Sequence, residues 1–118
     1  MIEFTTEGRA TKHESLAPLL FAMSKEFREA SRKKPDAFLN SQKVRIVNRL
    51  LGDVLAILEE EPSRAYLELL SDEELPQNSD VALMLGQAVA AMEAFKEKYF
   101  RYDNDEMQYR WMTKKQVR

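Results

Sequence analysis

A run of apolar residues near the C-terminal third of the chain most constrains its fold. Their spacing alternates between four and three positions over three heptads, and the run consists of Val81, Leu85, Ala88, Met92, Phe95, Tyr99 and Tyr102. Such an a/d seam lines one side of an α-helix and needs a helical neighbour to cover it. The spacing therefore predicts a long helix over residues 80–102 that packs by this seam against the rest of the domain.

A second amphipathic stretch, residues 42–60, is apolar around about half of its helical circumference. Its apolar residues are Val44, Ile46, Val47, Leu50, Leu51, Val54, Leu55, Ile57 and Leu58. A stripe this wide needs contact with at least two neighbours, so we predict that helices 42–60 and 80–102 form a central pair. Asn40 or Ser41 offers the N-cap of the first of these two helices.

Weaker patterns predict three further helices. The first of these helices begins at Ser15 and ends before Pro35, with Pro18 in its first turn. A second, short helix covers residues 63–70, and a third lies within residues 103–118. Residues 1–14 are predicted to be an arm. The fold class expected from the sequence is all-α: a four- to five-helix, mostly antiparallel bundle with an irregular N-terminal arm, forming one domain over residues 1–118 with a terminal helix or tail at 103–118.

Composition places the chain among folded proteins that lack disulfide bonds. Hydrophobic residues make up 44% of the 118 residues and charged residues 32%, which suits one globular domain. The absence of cysteine excludes disulfides and thiolate metal sites and favours a cytoplasmic location. No apolar run approaches the length of a membrane span, and the first residues are acidic where a signal peptide is basic. We therefore expect no membrane association.

The usual signatures of catalysis are missing from the sequence, so an enzyme is not favoured and no catalytic, cofactor or metal residue is assigned. There is no glycine-rich phosphate loop, nucleophile elbow or His-Glu-x-x-His pair. His13, the only histidine, falls in the predicted arm, where we expect it to be exposed or to cap a helix. The densest acidic runs are 59–61 and 72–74. Consecutive side chains on a helix point in different directions, so the carboxylates of each run do not converge on one ion and indicate solvated surface. A carboxylate-metal enzyme stays a third hypothesis.

The second face of the predicted helix 80–102 provides the sharpest functional hypothesis. It consists of Ala82, Leu83, Gly86, Ala90 and Ala94, which permit close approach of another backbone. That neighbour is either the first helix or the tail of the same chain, or the same helix of a second subunit across a two-fold axis. Tyr109 and Trp111 in the tail are further contact candidates, although Trp111 equally suits a cap folded onto the domain. The first hypothesis is therefore a non-enzymatic, self-associating interaction module, a homo-oligomer or a binder of another protein.

Charge is unevenly distributed although the net charge is only -2. Residues 25–49 contain eight basic and three acidic side chains, whereas residues 59–74 contain seven acidic and one basic side chain. The basic residues that could contact phosphates are Arg32, Lys33, Lys34, Lys43, Arg45 and Arg49. The alternative hypothesis is thus a nucleic-acid-associated accessory protein. An acidic partner protein would be attracted to the same basic residues equally well.

Overall fold

The computed structural model describes residues 3–114, which contain three α-helices and a two-stranded antiparallel sheet. In order, the elements are α1 (Glu7–Lys33), α2 (Ser41–Ile57), a 3-10 helix (Pro62–Tyr66), α3 (Asn78–Tyr99), β1 (Phe100–Asp103) and β2 (Gln108–Trp111). The structure is 63% helical and 11% strand. The prediction of an all-α, four- to five-helix bundle is therefore wrong.

Helix α1 begins eight residues earlier than predicted. The Thr6 side chain caps it by accepting a hydrogen bond from the Arg9 backbone N–H at 3.1 Å, and this N-cap fixes the start at Glu7. The predicted arm is thus wrong for residues 7–14, while residues 1 and 2 lie outside the described part. Pro18 consequently lies inside the helix and not in its first turn.

An antiparallel contact between α1 and α3 forms the centre of the molecule. The predicted seam of α3 is buried from Val81 to Tyr99, as predicted, whereas Tyr102 lies on β1 and is exposed. The matching seam of α1 consists largely of small or polar residues, and its buried members are Ala10, His13, Leu20 and Ser24. At the far end of the pair, the backbone N–H of Ser79 donates to the Pro35 carbonyl at 3.2 Å.

Helix α2 is confirmed as a broad amphipathic helix, but it is not part of a central pair with α3. Asn40 caps it, its side chain accepting from the Lys43 N–H at 2.8 Å, and its core residues between Val44 and Ile57 are buried. Helix α1 contacts both other helices, and α2 and α3 approach each other less closely. The central element is therefore α1.

The segment after α2 contains only a short 3-10 helix where a helix was predicted over 63–70. Its 3-10 helix ends at Tyr66, Leu67 has an extended backbone, and residues 68–70 have no regular secondary structure. The Asn48 side chain holds the end of this segment: its Oδ1 accepts from the Leu70 N–H at 2.7 Å and its Nδ2 donates to the Leu70 carbonyl at 2.9 Å. A tertiary side-chain contact thus replaces the helical hydrogen bonds that the sequence pattern suggested.

A β-hairpin takes the place of the predicted terminal helix, of which residues 115–118 lie outside the described part. Phe100 pairs with Trp111 and Tyr102 with Tyr109, so the four aromatic side chains share one face. Beyond β2, Thr5 pairs in parallel with Thr113, and its N–H donates to the Met112 carbonyl at 2.9 Å. The two ends of the described chain therefore meet on the α1–α3 pair.

The Asn48 clamp yields a stability prediction. Asn48→Ala leaves the Leu70 N–H and carbonyl without their side-chain partners, so the free energy of unfolding should fall by about 1–3 kcal/mol in urea denaturation. The exposed Gln87→Ala on α3 is the matched control and should change it by less than about 0.5 kcal/mol. Equal effects of the two substitutions would contradict the clamp.

Candidate functional site

A shallow apolar groove between α1 and α2 is the first of three exposed surfaces that could bind a partner. Two adjoining cavities of about 340 and 390 Å³ make up this α1–α2 groove. Its larger apolar lining residues include Leu16, Leu19, Met23, Phe27, Ile46 and Leu50. Leu19 is 60% exposed and Ile46 49% exposed, although both carry large apolar side chains. The groove therefore presents apolar surface that the described chain does not cover.

The helical periodicity of α1 explains why this surface exists. Residues three and four apart share a face, so the row containing Leu16, Leu19 and Met23 lies about a quarter turn from the row that contains Leu20 and Ser24. The second row is buried against α3, which leaves the first row to α2. Leu16 and Met23 become half-buried there, while Leu19 stays outside the contact.

Charged side chains of both signs border the α1–α2 groove. Glu26 and Asp53 provide negative charge, and Lys43 and Arg49 provide positive charge. All four residues are exposed, and none of them forms an ion pair within residues 3–114. The border of the groove thus carries two charges of each sign that have no ion-pair partner within the described part of the chain.

The second surface is the predicted small-residue face of α3. Leu83, Gly86, Ala90 and Ala94 are exposed, and Ala82 is half-buried. A Cβ atom built on Gly86 meets no other atom within 4 Å. Neither α1 nor the hairpin packs on this glycine, so the suggestion that another part of the same chain covers it is wrong for the described residues.

The third surface is the outer part of the hairpin. Tyr109 is exposed and stacks on Phe100, with ring centroids 6.0 Å apart. Trp111 is half-buried, and its Nε1 donates to a carboxylate oxygen of Glu14 at 2.6 Å. Its ring meets Phe95 at a centroid distance of 6.0 Å. Trp111 thus takes the position of a cap on the α1–α3 pair, and Tyr109 remains accessible.

The predicted nucleic-acid residues occupy the end of α1 and the first half of α2. Arg32, Lys33, Lys34, Lys43, Arg45 and Arg49 are all exposed. Arg32 pairs with Glu29 at 3.4 Å, and Lys43 and Arg49 border the α1–α2 groove beside acidic residues. The positive charge is therefore available, but it is interleaved with negative charge.

The acidic run 59–61 does not form one cluster. Arg9 of α1 pairs with Glu59 at 3.7 Å and with Glu60 at 3.0 Å. Glu61 accepts hydrogen bonds from Tyr99 at 2.8 Å and from Lys98 at 3.1 Å, so the expectation of solvated surface is wrong for this residue. Burial and the bond to Glu61 raise the pKa of the Tyr99 hydroxyl. No group of three or more metal-ligating side chains occurs within residues 3–114.

His13 is buried, which contradicts its predicted exposure in an arm. It is 3% exposed, its Nε2 donates to the Met92 carbonyl at 2.7 Å, and its ring stacks on Phe95 with centroids 5.4 Å apart. The Trp111 ring meets it edge-on at 5.1 Å. Burial, reinforced by the nearby Lys96 ammonium, holds the pKa of His13 below its ordinary value. Sequence reasoning missed this residue because a histidine gives no apolar periodicity.

Burial of His13 predicts a dependence of stability on pH. Because its pKa is lower in the folded than in the unfolded chain, the unfolded chain binds more protons between the two values. The His13 contribution is complete above the unfolded value of about 6.5 and is lost as the pH falls through 6.5 toward the folded value. Urea denaturation from about pH 7.5 to about pH 5 should therefore show a steeper fall for the wild type than for His13→Phe. Parallel pH profiles would contradict this assignment.

Comparison of the chain with protein-family models, curated proteins and solved structures finds no match. Among the helices of residues 3–114, none is long and apolar enough to cross a membrane. The geometry of the three surfaces is therefore the basis for a functional proposal.

Proposed function

We propose that this chain is a non-enzymatic protein-interaction domain that self-associates through the α1–α2 groove. The observation that carries the proposal is the uncovered apolar lining of this groove, with Leu19 and Ile46 about half exposed. Exposed apolar side chains that lie next to one another on a folded domain are a common feature of interaction sites. The lack of cysteine in the sequence supports a cytoplasmic setting.

The elongated shape of the molecule supports a partner on this face. The radius of gyration is 16.3 Å. A compact domain of this length has a value of about 13.5 Å. An elongated domain covers less of its own apolar surface, because fewer elements pack around each helix. A second copy on the α1–α2 groove would cover the row of α1 that α3 and α2 leave open.

The charges bordering the groove favour a second copy of this chain as the partner. In a two-fold arrangement each residue of one copy meets a different residue of the other, so positive and negative borders can face each other. Arg49 and Lys43 would then approach Glu26 and Asp53 of the partner copy. Since the exposed apolar side chains are few, we expect a weak dimer with a dissociation constant on the order of 10–100 µM.

Substitution of the exposed groove residues tests the proposal. Leu19→Lys and Ile46→Lys should each weaken self-association at least about ten-fold, because a lysine ammonium would have to lose water in the interface. The measurement is sedimentation velocity over a concentration series, with the monomer mass of 13.8 kDa as the reference. A wild type that remains monomeric at about 1 mM would refute self-association.

A matched control separates the α1–α2 groove from the alternative contact surface on α3. Leu83 is 66% exposed on α3, so Leu83→Lys introduces the same charge at a comparable position outside the groove. We expect it to leave the dissociation constant unchanged, and the same holds for Gly86→Leu, whose side chain meets open space. Loss of self-association in these two variants alone would place the interface on α3.

Nucleic-acid binding is the second candidate function, supported by the exposure of all six basic residues between Arg32 and Arg49. Titration of labelled duplex and single-stranded nucleic acid at low and high salt tests it, because phosphate contacts release counterions and weaken as salt rises. Binding that falls with salt and is lost in Arg45→Glu would support this candidate. Absence of salt-dependent binding at micromolar protein would exclude it.

A further inference from the structure

The tip of the β-hairpin contains a methionine in a backbone conformation that methionine rarely adopts. Met107 has a φ angle of 56°, in the left-handed region, and no other residue within 3–114 has a positive φ. Turns usually fill such a position with glycine or asparagine, because longer side chains are disfavoured there. A position that favours glycine therefore carries a long thioether side chain, directly before β2 begins at Gln108.

The hairpin turn is closed by Asp103 and not by the Met107 side chain. One carboxylate oxygen of Asp103 accepts from the backbone N–H of Asp105 at 2.9 Å and from that of Glu106 at 3.4 Å. The other carboxylate oxygen accepts from the Arg110 guanidinium on the opposite strand. A chemical change of the Met107 side chain thus leaves the bonds that close the turn in place.

Met107 is the most exposed of the methionines in the described part of the chain. It is 73% exposed, whereas Met92 is 2% and Met112 5% exposed. Met23 and Met84 are half-buried. A small oxidant dissolved in water therefore reaches the Met107 sulfur more readily than the other four sulfur atoms.

Two exposed tyrosines lie beside the Met107 side chain. The Tyr102 hydroxyl donates to the Met107 sulfur at 3.9 Å, and the Tyr102 and Tyr109 rings meet edge-on with centroids 5.3 Å apart. We call Tyr102, Met107 and Tyr109 the hairpin-tip cluster. All three residues are exposed, so the cluster is a solvent-facing surface with a hydrogen-bond donor next to a sulfur atom.

We propose that Met107 is a site of reversible oxidation by hydroperoxides, with hydrogen peroxide as the simplest. The thioether sulfur donates an electron pair to one peroxide oxygen and the O–O bond breaks. The departing hydroxide takes the proton of the transferred OH group, which gives methionine sulfoxide and water. Methionine sulfoxide reductases reverse the step: two thiols are oxidised to a disulfide, the sulfoxide is reduced to the thioether, and its oxygen leaves as water.

The hairpin tip accommodates the oxidised product, whereas the core would not. A sulfoxide is polar, and its oxygen is a better hydrogen-bond acceptor than a thioether sulfur. At Met107 this oxygen is placed in solvent, next to the Tyr102 hydroxyl. Met92 belongs to the hydrophobic core, where an added polar oxygen would be buried. Oxidation of Met107 therefore makes the hairpin-tip cluster more polar while the fold is retained, and it does not depend on self-association through the α1–α2 groove.

Peroxide treatment followed by tryptic peptide mapping tests the proposal. Trypsin cleaves between Met107 and Met112, at Arg110, so mass spectrometry follows the two residues on separate peptides. In the folded protein, the oxidation rate of Met107 should exceed the rates of Met92 and Met112 by at least about ten-fold. In concentrated urea the three rates should become similar, because the difference comes from burial and not from the local sequence.

Two leucine variants connect the fast oxidation to Met107. Met107→Leu keeps an apolar side chain of similar size without sulfur, so the fast single oxidation should disappear. Met112→Leu is the matched control on the same hairpin end of the chain and should retain it. The singly oxidised wild type should melt within about 2 °C of the untreated protein. Incubation with both stereospecific types of methionine sulfoxide reductase and dithiothreitol should restore the original mass.

Three results would overturn the proposal. One is oxidation of Met107 that is no faster than that of Met112 in the folded protein, and another is a fast single oxidation that persists in Met107→Leu. The third is a Met107 sulfoxide that unfolds the chain or that the reductases fail to reduce. Fast oxidation that is lost in Met107→Leu, retained in Met112→Leu and reversed by the reductases would establish the site.

Discussion

The antiparallel contact between α1 and α3 is the interaction on which the other elements depend. Small side chains recur along α1 at every seventh position, namely at Ala10, Ala17, Ser24 and Ser31, and they permit α3 to approach closely. The bond of 2.7 Å from the His13 ring to the Met92 carbonyl, a direct contact with the backbone of α3, reflects this approach. The hairpin then docks on the pair through Trp111, and Thr5 pairs beside it.

The packing of α3 on this face of α1 determines which other surfaces of the domain stay exposed. Helix α1 has a second apolar row with Leu16, Leu19 and Met23, and α2 covers it only in part. No fourth α-helix is present in residues 3–114 to complete the layer, because the chain after α2 forms only a short 3-10 helix and irregular structure and the chain after α3 forms a hairpin. The α1–α2 groove thus follows from the position of α1, which contacts both other helices while no further α-helix within residues 3–114 covers its outer row.

Sequence periodicity predicted the elements that carry large apolar side chains at regular spacing. Helix α2 and the seam of α3 were found because each turn repeats an apolar residue. The beginning of α1 was missed because its seam has alanine, histidine and serine at positions where the pattern expects leucine or valine. Three of its larger apolar residues, Leu16, Leu19 and Met23, lie instead on the less buried row. The hairpin was missed because Met107 and Trp111 also fit a helical spacing, although Asp103, Asn104 and Asp105 between alternating aromatic residues are a turn signal.

The same distinction applies to the candidate sites. The small-residue face of α3 could be identified from the sequence, because spacing along one helix is a local property. The α1–α2 groove could not, since it forms from two helices whose relative position depends on the packing of α1. By itself the sequence determined the two strongly periodic helices, α2 and α3, and which of their residues share a face. Only the tertiary structure decided which faces are covered, because burial depends on which helices meet, and a residue such as His13 or Leu19 acquires its environment from elements distant in the chain.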